Sequence, residues 1–375
     1  MNLLVCATLG VAALASTPVL AELLSTSVSL KAAAAPYFAV GVGVNQAVVR
    51  QPENQPLLQK HFTHITAENC MKFNAVQPRQ GDFRFEQSDA FVDLAEQLDL
   101  KVVGHCLVWA KDDRTPKWFA TDGEHDVTAD VLLHRMKTHV ETVATRYRGR
   151  IDMWDVVNEA IGNDEEGYLR VSLWSRLLGE EFLVKAFEYA HAADPDAILM
   201  YNDYRCDVDA KRRARLIRML KMLKSRNAPV HAFGLQGHYE IDNVPYEGIE
   251  ETLKAMRQLD IKLVVSELDI DVVKRGRWWA NGGAHRDELK TYDPYKDGCP
   301  PEILARQAEQ YAQLFELFQE YHDVVLRVSF WNLHDGESWL NHFPWERVNH
   351  PLLFDRKLEP KPAFDAVIGA LSQKR

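Results

Sequence analysis

The sequence predicts a single-domain (β/α)8 barrel, an α/β fold in which eight parallel strands close into a ring. Three observations carry that prediction. Short β-branched runs alternate with longer segments of helical periodicity, eight such units fill the chain, and every run from the second onward ends in polar residues. Strands buried on both faces read as continuous apolar runs, which is how these read.

The strands are expected near residues 38–42, 62–67, 101–108, 151–157, 197–202, 232–237, 262–268 and 326–331. Helical patterns fall between them at 86–98, 129–147, 181–193, 210–226, 247–259 and 302–321, with a terminal helix at 362–371. An open doubly wound sheet would declare itself by a glycine-rich phosphate turn after the first strand. Gly41-Val42-Gly43 lacks both the third glycine and a following helix. No internal repeat or appended module follows the last strand.

Residues 1–21 are apolar, end in Val19-Leu20-Ala21 and read as a secretory signal, although no Lys or Arg precedes Lys31. Thr8, Ser16, Thr17 and Pro18 break the run too often for a membrane span. The expected organisation is a signal (1–21), a linker-like piece (22–36) and one domain (37–375), in a secreted or periplasmic protein. The longest irregular stretch, 274–300, carries Trp278 and Trp279, and loops of that length are usually functional, so it is expected on the substrate face.

A net charge of −10 argues against nucleic acid, which demands a concentrated basic surface. The one dense basic run, Lys211, Arg212, Arg213 and Arg215, reads as a solvated helix face. Five irregularly spaced cysteines do not make a disulfide framework. Cys70, Cys106 and Cys206 read as small buried thiols and Cys299 as a loop residue.

In such a barrel the active site is built at the C-terminal ends of the strands. The residues there are Glu68, Asn69 and Lys72; His105 and Trp109; Asn158 and Glu159; Asn202, Asp203 and Tyr204; Gln236 and His238; Glu267 and Asp269; and Trp331, His334 and Asp335. Glu159 and Glu267 end the fourth and seventh strands, nearly opposite in an eight-membered ring. Two carboxylates across a barrel mouth match what glycoside hydrolysis needs: one to protonate the leaving oxygen, one to attack or to direct water. The plainer alternative is that each glutamate pairs with a nearby Lys or Arg. Trp109, Trp331 and Trp339 offer indole faces on which a pyranose can stack, whereas Trp154 and Trp174 read as core. His105, His238 and His334 raise a metal-dependent hydrolase as a rival, but they show no ligand spacing, and neither a metal nor another cofactor is expected.

The motifs are more specific than the pattern. Thr66-Ala67-Glu68-Asn69-Cys70-Met71-Lys72, Gly104-His105-Cys106-Leu107-Val108-Trp109, Trp154-Asp155-Val156-Val157-Asn158-Glu159, Tyr201-Asn202-Asp203-Tyr204, Gly234-Leu235-Gln236-Gly237-His238 and Val265-Ser266-Glu267-Leu268-Asp269 follow one another in order, and Trp331 through Trp339 completes the series. From about residue 37 to its end the chain resembles the glycoside hydrolase family 10 endo-β-1,4-xylanases. The resemblance implies retaining cleavage of xylan, with Glu159 as acid/base and Glu267 as nucleophile. It further implies that Asn158 contacts the 2-hydroxyl at subsite −1, and that Gln236 and His238 hold the two glutamates. Glu68, Asn69, Lys72, His105 and Trp109 would line the glycone side, Tyr204 would bind substrate, and Trp331 and Trp339 would wall subsite −1. Four positions depart from the family pattern: Ala110 stands where His is common, Phe73 for Trp, Arg205 for Asn and Asn332 for Gly. A cation at 205 would favour acidic decorations on the substrate. Rival readings are a β-glucan or aryl β-glycoside hydrolase on the same scaffold, and a carbohydrate-binding barrel without turnover. The partner expected is xylan or a xylo-oligosaccharide as substrate of a monomer, with no nucleic acid and, in the mature form, no membrane partner.

Overall fold

Eight parallel strands form the ring: β1 Ala39–Val44, β2 His64–Ala67, β3 Lys101–Trp109, β4 Ile151–Asn158, β5 Ile198–Asp203, β6 Ala232–Leu235, β7 Lys262–Asp271 and β8 Val325–Trp331. Each pairs with its sequence neighbours, and β8 returns to β1 in the register Gly41↔Ser329, so no edge is left open. This computed structural model describes residues 28–163, 167–275 and 291–373; the expected signal at 1–21 and Trp278 and Trp279 lie outside the described residues.

The lumen is packed by Val103, Met153, Met200, Ala232 and Val264, one from each of five consecutive strands. Outside the ring, the helices lay apolar stripes against the strands. In Ala129–Arg146, Leu132, Met136, Val140 and Val143 recur at helical spacing and are fully buried, and the Thr128 side chain caps the first turn by accepting from Val131 N. Each buried Leu or Val contributes roughly 1.5–3 kcal/mol. Trp154 and Trp174 are both fully buried, as are the thiols of Cys70, Cys106 and Cys206, while Cys299 is half-buried.

Two ring irregularities lie at strand starts, between Val102 and Val103 and between Leu263 and Val264, and three lie toward the C-terminal ends. The β3–β4 register shifts between His105 and Val108, β4–β5 between Asp155 and Val157, and β7–β8 between Val265 and Leu268. Such irregularities re-aim side chains at a barrel rim. The expected sixth strand stops two residues early, because Gly237 turns into the left-handed region at φ 79°; the chain then resumes as His238–Glu240 along β7, placing His238 opposite Asp269.

Two expectations fail here. The described part of the supposed linker is a helix, Leu30–Ala34, capped by Ser29, with Leu30 and Ala34 fully buried against the Gln55–His61 and Pro362–Ser372 helices. The basic run is not a solvated face throughout. Arg212, 2% exposed, donates from Nη2 to Asp203 Oδ1 at 2.6 Å and from Nη1 to Ile161 O at 3.1 Å, and Arg213 pairs with Glu251. Short helices at Gln46–Arg50, Phe73–Val76 and Leu173–Leu178 and the hairpin Thr121–Asp122 with His125–Asp126 had no periodic trace in the sequence.

Candidate active site

The strand ends surround one cavity of about 720 Å³. Backbone bonds stitch its floor: Glu159 N donates to Asn202 O, Gln236 N to Asp203 O and Glu267 N to Gln236 O, each between 2.9 and 3.1 Å. These hold the ends of β4 to β7 in fixed relation, so the side chains that follow them are presented to one space.

Glu159 and Glu267 both line that cavity and are 8% and 6% exposed, which makes their partners decisive. Gln236 Nε2 donates to Glu159 Oε1 at 3.1 Å, and Lys111 Nζ and Arg170 Nη2 stand 3.8 and 3.9 Å from Glu159 Oε2. Glu267 accepts from Asn202 Nδ2 at 2.8 Å on Oε1, and its Oε2 lies 3.1 Å from His238 Nε2. Asn202 is itself pinned by Ser266 Oγ, which donates to its Oδ1 at 2.7 Å, and its Nδ2 also reaches Asn158 Oδ1 at 3.2 Å.

The electrostatics separate the groups. Burial pushes Glu267 toward its neutral form, yet the hydrogen bond and charge of His238 outweigh it and hold this carboxyl below its ordinary value. For His238, burial opposes the imidazolium, but Asp269, whose Oδ2 lies 2.8 Å from Nδ1, together with Glu267 raises it to about 9. Asp155, fully buried, rises to about 6 because desolvation exceeds the help of its 2.8 Å bond with His105 Nδ1. Burial also lifts Glu68 above its ordinary value against the pull of Lys72.

Aromatic walls stand on either side. Trp331 packs edge-on to His105 at 5.6 Å between ring centres, and Trp339 is held by its Nε1, which donates to Asp269 Oδ2 at 2.8 Å. Lys72 and Arg114 each lie 5.2 Å over the Trp109 ring. The three strand-end histidines do not converge: His105 binds Asp155, His238 binds Glu267 and Asp269, and His334 accepts from Gly336 N away from the cavity. Among the described residues, His105, Cys106 and Asp155 lie close enough to share an ion, but two of them are bonded to each other and burial holds the Cys106 thiol protonated.

With this geometry in view, comparison with known proteins is specific. The profile of glycosyl hydrolase family 10 matches residues 29–370. The chain belongs to that family. An endo-1,4-β-xylanase of Geobacillus stearothermophilus is 37% identical over 91% of this chain and 98% of its own length, and endo-1,4-β-xylanase B of Paenibacillus barcinonensis matches to the same extent. Among solved structures, a GH10 endoxylanase from a sugarcane soil metagenome superposes with a TM-score of 0.83 at 35% identity, covering 92% of this chain and 99% of that one. Xylanase XynB of Paenibacillus barcinonensis, complexed with a conduramine derivative, gives 0.82 at 36% identity over 92% of this chain and all of that one.

Of the family 10 positions singled out from the sequence, Glu68, Lys72, His105, Trp109, Asn158, Glu159, Tyr204, Gln236, His238, Glu267, Trp331 and Trp339 all line the cavity. Asn69 does not. It is exposed and instead accepts from Lys72 Nζ at 3.1 Å, so it orients a wall residue rather than forming the wall. Asn202 and Asp269, picked out as strand-end polar residues within motifs but given no role, are the hubs that hold Glu267, His238 and Trp339. Arg170 was not anticipated, because it comes from an irregular loop and reaches Glu159 O and Tyr204 OH only through the fold.

Proposed function

We propose that this family 10 chain is an endo-β-1,4-xylanase that works by double displacement with retention, Glu159 acting as acid/base and Glu267 as nucleophile. The observation that carries the reading is the pair itself: two nearly buried carboxylates from β4 and β7 line one cavity, and each has different partners. Glu267, held ionised by His238 and Asn202, is suited to attack C1 of the xylosyl unit at subsite −1. Glu159 gives its proton to the glycosidic oxygen as the bond breaks, and after the leaving chain departs it takes a proton from water, which attacks C1 and frees Glu267. Asn158, placed by Asn202, is suited to the neighbouring 2-hydroxyl, where a hydrogen bond strengthens as positive charge grows on the ring. Trp331 and Trp339 line the same cavity and are suited to close over the position where a hexose would carry its C6 group, a reading that favours xylose. The names of the relatives support the same substrate. Export to the periplasm or the exterior accompanies this proposal, since the polymer is outside the cell.

The test is an assay of wild type, Glu159→Ala and Glu267→Ala on xylan and on an aryl β-xylobioside, with and without azide. Internal cleavage of xylan by wild type, inactivity of Glu267→Ala, and azide rescue of Glu159→Ala on the aryl glycoside with a β-azide product are expected. Turnover of β-glucan but not xylan would transfer the substrate to the rival reading, and an active Glu267→Ala would sink the mechanism.

A further inference from the structure

We propose that Arg205 forms a carboxylate-accepting subsite on the leaving-group half of the cleft, which takes the uronic acid branch of a decorated xylan. The proposal rests on the xylanase reading and adds to it a charge preference for the branches of the substrate.

Arg205 lines the cavity and is half-buried. The other cations of the cavity wall are already engaged. Lys111 lies 3.8 Å from Glu159, Arg114 3.5 Å from Asp113, Lys274 3.9 Å from Asp242, Arg275 2.6 Å from Asp271, and Lys72 donates to Asn69. The guanidinium of Arg205 has neither an ion pair nor a hydrogen bond among the described residues. The two carboxylates nearest in sequence are engaged elsewhere: Asp203 accepts from Arg212 Nη2 at 2.6 Å, and the buried Asp207 accepts from Tyr239 Oη at 2.7 Å and from Val208 N at 3.0 Å.

The backbone at this point is built to hold its position. Arg205 sits in the left-handed region at φ 59°, and the carbonyls on either side of it are clamped from the following helix, Tyr204 O by Arg212 Nε at 3.0 Å and Cys206 O by Arg213 Nη1 at 3.2 Å. Asp209 N donates to Arg205 O at 3.0 Å. A backbone fixed in this way sets where the guanidinium can reach, and the side chain, held by no partner of its own, is ordered when a ligand arrives.

Its side of the cleft follows from strand order. β5, which Arg205 follows by two residues, flanks the Glu159 strand opposite to β3, while Glu68 and Lys72 follow β2 and Trp109 ends β3. With those residues on the glycone half, Arg205 belongs to the half beyond the acid/base. Val208, 47% exposed on the same wall, offers an apolar patch to a sugar face. A xylan backbone is uncharged and gives a guanidinium nothing it did not have from water. A uronate carboxylate can accept two parallel N–H bonds from it, the geometry that arginine matches best.

The experiment compares three xylo-oligosaccharides of equal backbone length: unbranched, carrying one glucuronosyl branch, and carrying the same branch with its carboxyl reduced to the neutral alcohol. Each is given to wild type, Arg205→Met and Arg205→Lys, and the readout is the ratio of kcat/KM for the acidic branch to that for the reduced branch, which a general loss of folding or backbone binding does not move. Wild type is expected to favour the acidic branch about three- to tenfold, in the range of a partly exposed charged hydrogen bond. Arg205→Met should bring the ratio to about one, Arg205→Lys should keep part of it, and salt should lower it in wild type. A wild-type ratio near one, or an unchanged ratio in Arg205→Met, overturns the proposal. Failure of wild type to cleave even the unbranched oligosaccharide would instead strike down the xylanase reading, so the two failures are distinct.

Discussion

Nε2 of His238 lies 3.1 Å from Oε2 of Glu267, and the same ring is held from behind by Asp269 at 2.8 Å. The imidazole thus sits between two carboxylates, which raise it to about 9 despite its burial. Because the folded value exceeds the ordinary value near 6.5, the charged ring stabilises the fold fully below about pH 6.5, and that contribution disappears as pH rises through about 9. Activity on an aryl xyloside should fall over the same alkaline limb, since Glu267 then loses its cation. Urea unfolding at pH 6 and pH 9.5 should show a larger loss for wild type than for His238→Gln; equal losses would show that this ring does not titrate in the window.

Gly43 pairs with Trp331 across β1 and β8, and a Cβ added there would stand 2.5 Å from a Trp331 ring carbon. Gly43→Ala must therefore push a cavity wall inward or outward, at a cost of about 1–3 kcal/mol for overpacking. The expected result is a kcat/KM on xylan lowered by roughly tenfold, with altered Trp fluorescence. Wild-type kinetics would mean that Trp331 shifts freely without affecting the substrate.

The Arg212–Asp203 pair is 2% and 0% exposed at the side chains, so removing one partner strands a charge in the core. Arg212→Met is expected to destabilise by about 3–5 kcal/mol, and Arg212→Met with Asp203→Asn by clearly less, because the second change removes the stranded charge. Thermal or urea unfolding of the two variants checks this, and equal losses would make the arginine important for its backbone hydrogen bonds instead.

Asn332 occupies the left-handed region at φ 81°, where Gly is unstrained, yet its side chain ties two cavity walls together. Its Nδ2 donates to Glu68 Oε2 at 3.2 Å and its Oδ1 accepts from Trp339 N at 2.8 Å. Asn332→Gly should relax the backbone while loosening both walls, so KM on xylo-oligosaccharides should rise about three- to tenfold with little loss of thermal stability. An unchanged KM would leave the tie without a role in binding.

By itself the sequence determined the ring of strands, the main helices and the strand-end residues of the cavity, but not the wall residues that loops supply, such as Lys111, Arg114, Asn243 and Phe343. The reason is that parallel strands are long apolar runs with local periodicity between them, and the rule that chemistry gathers at strand C-termini turns position along the chain into position in space. Glu159 and Glu267 were legible in that way. What the tertiary structure alone decided is who bonds to whom. Asn202 became the link between Asn158 and Glu267, Asp269 the support of both His238 and Trp339, Arg212 a buried ion pair rather than a wetted charge, and Asn69 a brace outside the wall. The helix Leu30–Ala34 is too short to show a period, and the environment of Arg212 depends on a carboxylate nine residues earlier that only the turn after β5 brings beneath it. The bonds of Asn202 and Asp269 join residues tens of positions apart, and no local pattern records them until the chain has closed into its barrel.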